Sequence, residues 1–182
     1  MIINHQILKY RGIIINRKIK RHLHLIAFSL TIGLSLNAQS NSYSEVYNTL
    51  KKNDSLIFDR AFNNCELQYF DQFITHDFEF YHDIAGITKS KQYFIETIKD
   101  GICKTGSSTK STRELSEGSL EVFLLKNNGK IYGALQNGIH KFYATTNGHK
   151  VASSTAKFSH LWLLEKGNWV LKRVLSYDHQ MK

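Results

Sequence analysis

Apolar residues in the first half of the chain recur at the spacing of α-helices. Residues 43, 46, 47 and 50 fall at positions i, i+3, i+4 and i+7, and residues 57, 58, 61 and 62 continue the same helix face. Ser42 and Glu45 form a capping-box pair at the start of this segment. The same spacing predicts a second helix over 66–74 and a third over 89–103. The apolar positions of the three helices are Tyr43, Val46, Tyr47, Leu50, Ile57, Phe58, Ala61, Phe62, Leu67, Phe70, Phe73, Phe94, Ile98 and Ile102.

The remaining segments alternate between apolar and polar residues, as β-strands do. Residues 77–83 place Phe78, Phe80 and His82 on one face. After residue 105, turn dipeptides at 128–129, 147–148 and 167–168 divide the chain into four long antiparallel strands. Such long strands twist or bend, and we interpret Asn137-Gly138 as a bulge that allows the bend.

This order of elements predicts an α+β domain. Helices that precede most of the strands pack together on one face of a sheet. We therefore expect three N-terminal helices on a strongly curved, mainly antiparallel sheet, with a pocket between the two layers. No linker or repeat divides residues 39–182, so they are predicted to form one domain.

The first 38 residues have the pattern of a secretion signal. Basic residues at 17–21 precede an apolar run at 25–36, which is shorter than the ~20 residues of a membrane span. Ala38 suits cleavage before Gln39. We expect export to the periplasm or the extracellular space, with no stable membrane span after cleavage. The alternative is an uncleaved N-terminal anchor.

The positive charge of the chain is concentrated in that signal. The full chain has a formal net charge of +9, but residues 1–38 hold six basic residues and no acidic ones. The remaining 18 basic residues face 15 acidic ones, so the net charge falls to +3. A surface that binds phosphates needs its positive charge on the folded domain, and we therefore expect no nucleic-acid partner.

Cys65 and Cys103 are the two cysteines of the chain. In an oxidising compartment they could form one disulfide. The alternative is a pair of buried free thiols, and the sequence leaves both open.

These elements resemble the nuclear transport factor 2-like (cystatin-like cone) superfamily. The resemblance covers residues 45–180, and two short segments, 80–83 and 176–179, make the chain similar to small secreted bacterial members of unassigned function. It implies a pocket and often a homodimer. It does not imply a reaction, because the superfamily includes both enzymes and binding proteins.

Four residues are candidates for acid–base chemistry, namely His82, Asp83, Tyr177 and His179. His82 lies on the apolar face of its strand, so it is either a pocket acid or base or a core histidine bonded to the backbone. Adjacent strand residues point in opposite directions. A His–Asp pair must therefore join two strands, as His179 with Asp83 or His82 with Asp178.

A second set of residues is expected to line the pocket and bind a ligand. Arg173 and Arg113 interrupt apolar rows, and a buried arginine needs an anionic ligand or a carboxylate such as Asp59 or Asp83. In the last strand, residues 169, 171, 173, 175, 177 and 179 should share one face. The set is Phe80, Tyr81, Arg113, His140, Phe142, His160, Trp162 and Arg173; packing in the core is the alternative role for its aromatic members and histidines.

The leading functional hypothesis is a domain that binds a small, largely apolar molecule. A cofactor-free lyase or isomerase, resembling ketosteroid isomerases or polyketide cyclases, is the second. A protein-interaction or dimerisation module is the third. The sequence has no metal-binding spacing and no phosphate-binding loop, so neither a metal nor a cofactor is expected.

Overall fold

Three helices form one layer of the structure. The computed structural model describes residues 43–182, and the predicted signal lies outside them. Helix α1 covers 43–64 and winds as a π-helix over Leu56–Phe62. Helix α2 is Gln68–Phe73, and helix α3 is Lys91–Asp100, capped by Ser90. Within this part of the chain no helix is long and apolar enough to cross a membrane.

Seven strands form the other layer, which is a single sheet. In chain order they are β1 Ile74–His82, β2 Gly86–Lys89, β3 Thr109–Leu115, β4 Glu121–Asn127, β5 Lys130–Thr146, β6 His149–Glu165 and β7 Asn168–Met181.

The sheet is mixed, with the spatial order β2-β1-β7-β6-β5-β3. Strands β1 and β7 pair in parallel and the other pairs are antiparallel. The four long strands expected after residue 105 are instead three long strands and two short ones. Residues 116–120, which include Gly118 at φ +71°, separate β3 from β4, and both pair with β5. Strand β2 was not predicted.

A bulge in β7 reverses which of its residues face the helices. Arg173 pairs with Leu161, while Leu171 pairs with Trp162, so Lys172 is an extra residue in β7. Before the bulge Leu171 is buried, and after it the buried positions are 174 and 176. The predicted single face through residues 169–179 is therefore wrong.

A second bulge in β7 reverses the alternation again. Gln180 pairs with Thr155 and Tyr177 pairs with Lys157, so residues 178 and 179 of β7 oppose the single residue 156 of β6. Asp178 adopts φ +58° within this bulge. As a result His179 lines the interior, whereas Tyr177, 38% exposed, lies on the outer face beside Lys157.

A disulfide joins the ends of two helices. Cys65 directly follows α1 and Cys103 lies just after α3, and their sulfurs are bonded with the Cα atoms 5.6 Å apart. The bridge ties α3 to the α1–α2 corner.

The core lies between the helices and the inner face of the sheet. Residues 45–182 form one compact unit. Its largest fully buried apolar side chains include Trp162, Phe70, Phe78 and Phe158. Gly138 is not at a bulge, because it pairs in regular register with Phe158. A Cβ atom at position 138 would lie 2.7 Å from the Phe158 ring, so the glycine leaves room for that ring.

Gly138→Ala should therefore destabilise the domain. Forcing an extra methyl group against a packed ring costs about 1–3 kcal/mol, measured as the free energy of unfolding in urea. The control is the same substitution in a Phe158→Leu background, where the ring is absent. If Gly138→Ala lowers the free energy of unfolding equally in both backgrounds, the Phe158 ring is not what excludes a side chain at position 138.

Candidate functional site

A cavity of about 450 Å³ opens between the helices and the sheet. Most of its wall is aromatic and aliphatic. Its polar lining consists of His82, His140, His179, Ser176, Ser111, Ser153, Ser154 and Thr97. No lysine, arginine, aspartate or glutamate lines it within residues 43–182.

A buried ion pair lies behind the cavity wall. The Asp54 carboxylate on α1 accepts two hydrogen bonds from the Arg113 guanidinium on β3, at 2.7 and 3.3 Å. The exposed fractions are 2% for Asp54 and 1% for Arg113. Burial raises the pKa of Asp54, and Arg113 opposes that rise. The Phe58 ring lies 3.9 Å from the guanidinium carbon and covers it.

The ion pair continues as a chain of hydrogen bonds to the cavity. Arg113 Nε donates to His140 Nδ1 at 3.3 Å, and His140 Nε2 lies 3.3 Å from Ser176 Oγ. Burial and the nearby Arg113 lower the pKa of His140 to about 3. His140 is therefore neutral at pH 7. Because its Nδ1 accepts a hydrogen bond, its proton is on Nε2.

A second branch of buried polar groups stays in the core. Gln136 Oε1 lies 3.1 Å from His160 Nδ1 and accepts a 2.7 Å hydrogen bond from the Trp162 indole. His160 stacks on Phe58, and its burial lowers its pKa well below the ordinary value. Neither His160 nor Trp162 lines the cavity.

At the edge of the cavity, His179 and Asp83 form a pair across β7 and the end of β1. His179 Nδ1 lies 2.5 Å from Asp83 Oδ1, and the His179 backbone amide donates to Asp83 Oδ2 at 3.2 Å. Desolvation raises the pKa of Asp83, but the hydrogen bonds from His179 outweigh it and leave this pKa below its ordinary value. The ionised carboxylate holds the His179 proton on Nδ1 and leaves Nε2 able to accept a proton.

His82 lies beside this pair with its ring stacked on His179, the centroids 4.4 Å apart. Its Nδ1 accepts hydrogen bonds from the backbone amides of Ile84 and Ala85, both at 3.1 Å. Burial, and then the charge of a protonated His179, lower the pKa of His82, while Asp83 opposes them. The neutral ring therefore has its proton on Nε2 and acts as a donor there.

Two His side chains and one carboxylate lie close enough together to suggest a metal. His82, Asp83 and His179 each offer a ligand atom, and these atoms lie within 4.8 Å of one another. However, His82 Nδ1 already accepts two backbone hydrogen bonds, and the His179 Nδ1 proton is shared with Asp83. A metal bound through Nδ1 of either ring would have to displace these hydrogen bonds.

The structure brings five of the predicted site residues to the cavity wall: Phe80, His82, His140, Phe142 and His179. Asp83 joins them through His179. The cavity lining does not include Tyr81, Arg113, His160, Trp162, Arg173 or Tyr177.

The two predicted arginines have other partners than expected. Arg113 pairs with Asp54, and Arg173 pairs with Glu79 at 2.8 Å. The Tyr81 hydroxyl donates to the same glutamate. The bulge at position 172 explains the place of Arg173, since it moves this side chain away from the interior.

Asp54 and Ser176 were missed by the sequence analysis. Asp54 follows Leu50 by four positions and precedes Ile57 by three, so it lies on the apolar face of α1. A carboxylate on such a face was the available signal for a buried partner of Arg113. Ser176 carried no comparable signal, because the first bulge in β7 determines its inward direction.

Comparisons with known proteins show the fold. No protein-family model matches the sequence, and no curated protein does. A solved NTF2-like superfamily protein from Salmonella enterica has a TM-score of 0.60 at 15% identity, over 74% of this chain and 92% of that one. An NTF2-like protein of unknown function from Pseudomonas putida has a TM-score of 0.58 at 11% identity, over 73% and 86%.

A third similar structure is an uncharacterised protein with a cystatin-like fold from Caulobacter vibrioides. It has a TM-score of 0.55 at 12% identity, over 74% of this chain and 88% of that one. The nuclear transport factor 2-like fold expected from the sequence is therefore confirmed. At these identities the likeness carries the fold and not a function.

The buried His140 should make stability depend on pH. Its pKa is about 3 in the folded protein and about 6.5 in an unfolded chain. The unfolded state therefore binds the proton first, and stability falls as pH falls from 6.5 towards 3. His140→Gln, which keeps a donor and an acceptor but does not titrate, should reduce this slope by up to about 1.4 kcal/mol per pH unit.

The measurement is urea unfolding at intervals between pH 7 and pH 4. His149→Gln is the control, because His149 is an exposed histidine in the β5–β6 hairpin. An unchanged slope in His140→Gln would contradict the assignment of a neutral, buried His140.

Proposed function

We propose that this protein binds a small, largely apolar molecule in the cavity between its helices and its sheet. The observation that carries the proposal is the composition of the cavity wall. A volume of about 450 Å³ is lined mainly by apolar side chains, and seven of its eight polar residues lie on the sheet. This combination is typical of small-molecule sites.

Three aromatic side chains extend the apolar wall over both layers. Phe58 comes from α1, Phe94 from α3 and Phe80 from β1. Phe94 meets Phe80 edge-on, with ring centroids 5.7 Å apart. Aromatic walls of this kind favour a ligand with a flat or compact hydrocarbon body.

A fluorescent apolar probe, 1-aminoanthracene, tests this function directly. The protein should bind it with enhanced fluorescence, and Ile102→Trp should weaken binding at least about tenfold by filling the cavity that Ile102 lines. The readout is a fluorescence titration, with circular dichroism to show that each variant is folded.

Ile87→Trp is the matched control. Ile87 is 56% exposed on β2 and is not a lining residue, so this variant should bind the probe as the unchanged protein does. An equal loss of probe affinity in both variants, or no probe binding by the unchanged protein, would contradict a cavity-binding function.

The pair formed by His179 and Asp83 favours a second candidate, a cofactor-free isomerase or lyase. His179 lines the cavity, and its Nε2 has no hydrogen-bond partner among residues 43–182. This arrangement suits a general base, because the Asp83 carboxylate stabilises the ring once it is protonated. Of the four predicted catalytic residues, His82, Asp83 and His179 remain in this candidate, whereas Tyr177 lies on the outer face.

Proton exchange tests the second candidate. In D₂O the protein should accelerate exchange of the methyl protons of 2-acetonaphthone, with His179 Nε2 removing a proton and solvent deuterium replacing it. Asp83→Asn should slow this exchange at least about tenfold, followed by proton NMR. Asp178→Asn is the control, because Asp178 pairs with Lys157 at the surface. Exchange no faster than in buffer would exclude this chemistry on an aryl ketone.

The predicted homodimer stays a prediction. The outer face of the sheet offers apolar side chains for such a contact. Phe123 is 49% exposed on β4 and pairs with Leu135, 37% exposed, on β5.

A further inference from the structure

The hydrogen-bond chain behind the cavity has a fixed direction. It starts at Arg113, which can only donate. Arg113 Nε donates to His140 Nδ1, so the neutral His140 ring must donate from Nε2 to Ser176 Oγ. Ser176 Oγ thus accepts one hydrogen bond, and its own proton remains to be donated.

Ser176 has no acceptor for that proton among residues 43–182. It is 3% exposed and lines the cavity. Its Oγ has one hydrogen-bonded neighbour in the described chain, His140 Nε2. A buried donor without a partner is costly, which is an independent reason to expect a ligand atom there.

His82 provides a second donor next to the first. His82 on β1 and Ser176 on β7 are paired positions of the parallel ladder, and both side chains line the cavity. Because the backbone amides of Ile84 and Ala85 occupy His82 Nδ1, the proton of the neutral ring is on Nε2. That proton also has no acceptor among the described residues.

We propose that Ser176 and His82 form a subsite for a carbonyl oxygen of the ligand. The subsite deepens the proposed binding function and rests on it. The ligand class is a neutral, largely apolar compound with one carbonyl group, whose oxygen accepts hydrogen bonds from Ser176 Oγ and His82 Nε2.

The charges around the cavity favour a neutral carbonyl over a carboxylate. No lysine or arginine side chain lines the cavity in residues 43–182. The nearest buried cation, Arg113, is already paired with Asp54. The Asp83 carboxylate adds negative charge at the cavity edge. A buried carboxylate on the ligand would have no lysine or arginine to compensate it.

Two probes of nearly equal shape test the subsite. The first is 2-acetonaphthone, which has a ketone oxygen, and the second is 2-isopropenylnaphthalene, which has a methylene group in its place. Both are measured by displacement of 1-aminoanthracene from the full-length protein. The unchanged protein should bind the ketone roughly 30-fold more tightly than the hydrocarbon, as expected for two net hydrogen bonds of about 1 kcal/mol each.

Ser176→Ala should leave only the part of that preference that the His82 donor supplies, about fivefold. Affinity for the ketone should fall about fivefold, while affinity for the hydrocarbon should stay within about twofold. Ser159→Ala is the matched control, because Ser159 is also a sheet serine but lies outside the cavity lining. It should leave both affinities unchanged.

The infrared carbonyl band of bound 2-acetonaphthone gives a second, independent readout. In the unchanged protein it should lie at lower frequency than in hexane, because two donors polarise the carbonyl. This measurement stands even when Ser176→Ala does not fold. Probe binding with an unshifted band, or with equal affinity for both compounds, would overturn the subsite alone. Failure to bind 1-aminoanthracene would overturn the binding function itself.

Discussion

The buried ion pair between Asp54 and Arg113 constrains most of this structure. A guanidinium cannot lose its proton at any ordinary pH, so burying Arg113 requires a carboxylate nearby. Asp54 can supply it only if α1 lies across the inner end of β3. Asn63, nine residues later in α1, also holds this helix against β3, because its side-chain amide forms two 2.8 Å hydrogen bonds with the Arg113 backbone. Such a pair adds little net stability, but removing one partner leaves an uncompensated buried charge and is strongly destabilising.

The same ion pair also determines the chemistry of the cavity wall. Two of the Arg113 nitrogens are bonded to Asp54, and the third fixes the tautomer of His140. A charge outside the cavity lining thereby sets the direction of the hydrogen bond at Ser176, two hydrogen bonds away. The helices supply much of the apolar wall, and the sheet supplies most of the polar groups. The sheet also supplies apolar side chains, so the polar groups lie within an otherwise apolar wall.

The sequence predicted the structural features that depend on local periodicity. The helices follow from apolar spacing, and the inward face of β1 follows from alternation, because the pairing of residues 79–82 is regular on both sides. The face of β7 could not be predicted in this way. Its two bulges each add one residue, and each reverses the alternation, so Arg173 and Tyr177 point outward while Ser176 and His179 point inward. A bulge depends on pairing with neighbouring strands, which the sequence of one strand does not contain.

Ion pairs between residues that are distant in the sequence were predicted only in part. Residue types indicated that Arg113 needed a carboxylate, but several acidic residues were available, and only the position of α1 on the sheet selects Asp54. The pairing of His179 with Asp83 was one of the two His–Asp pairs named from the sequence. Adjacent residues of a strand point in opposite directions, so a pair within one strand was excluded. Binding and catalysis make different demands on these groups. Binding requires only the donors and the apolar wall, whereas proton transfer also requires the carboxylate behind His179. Asp83 is therefore the residue whose substitution separates the two functions.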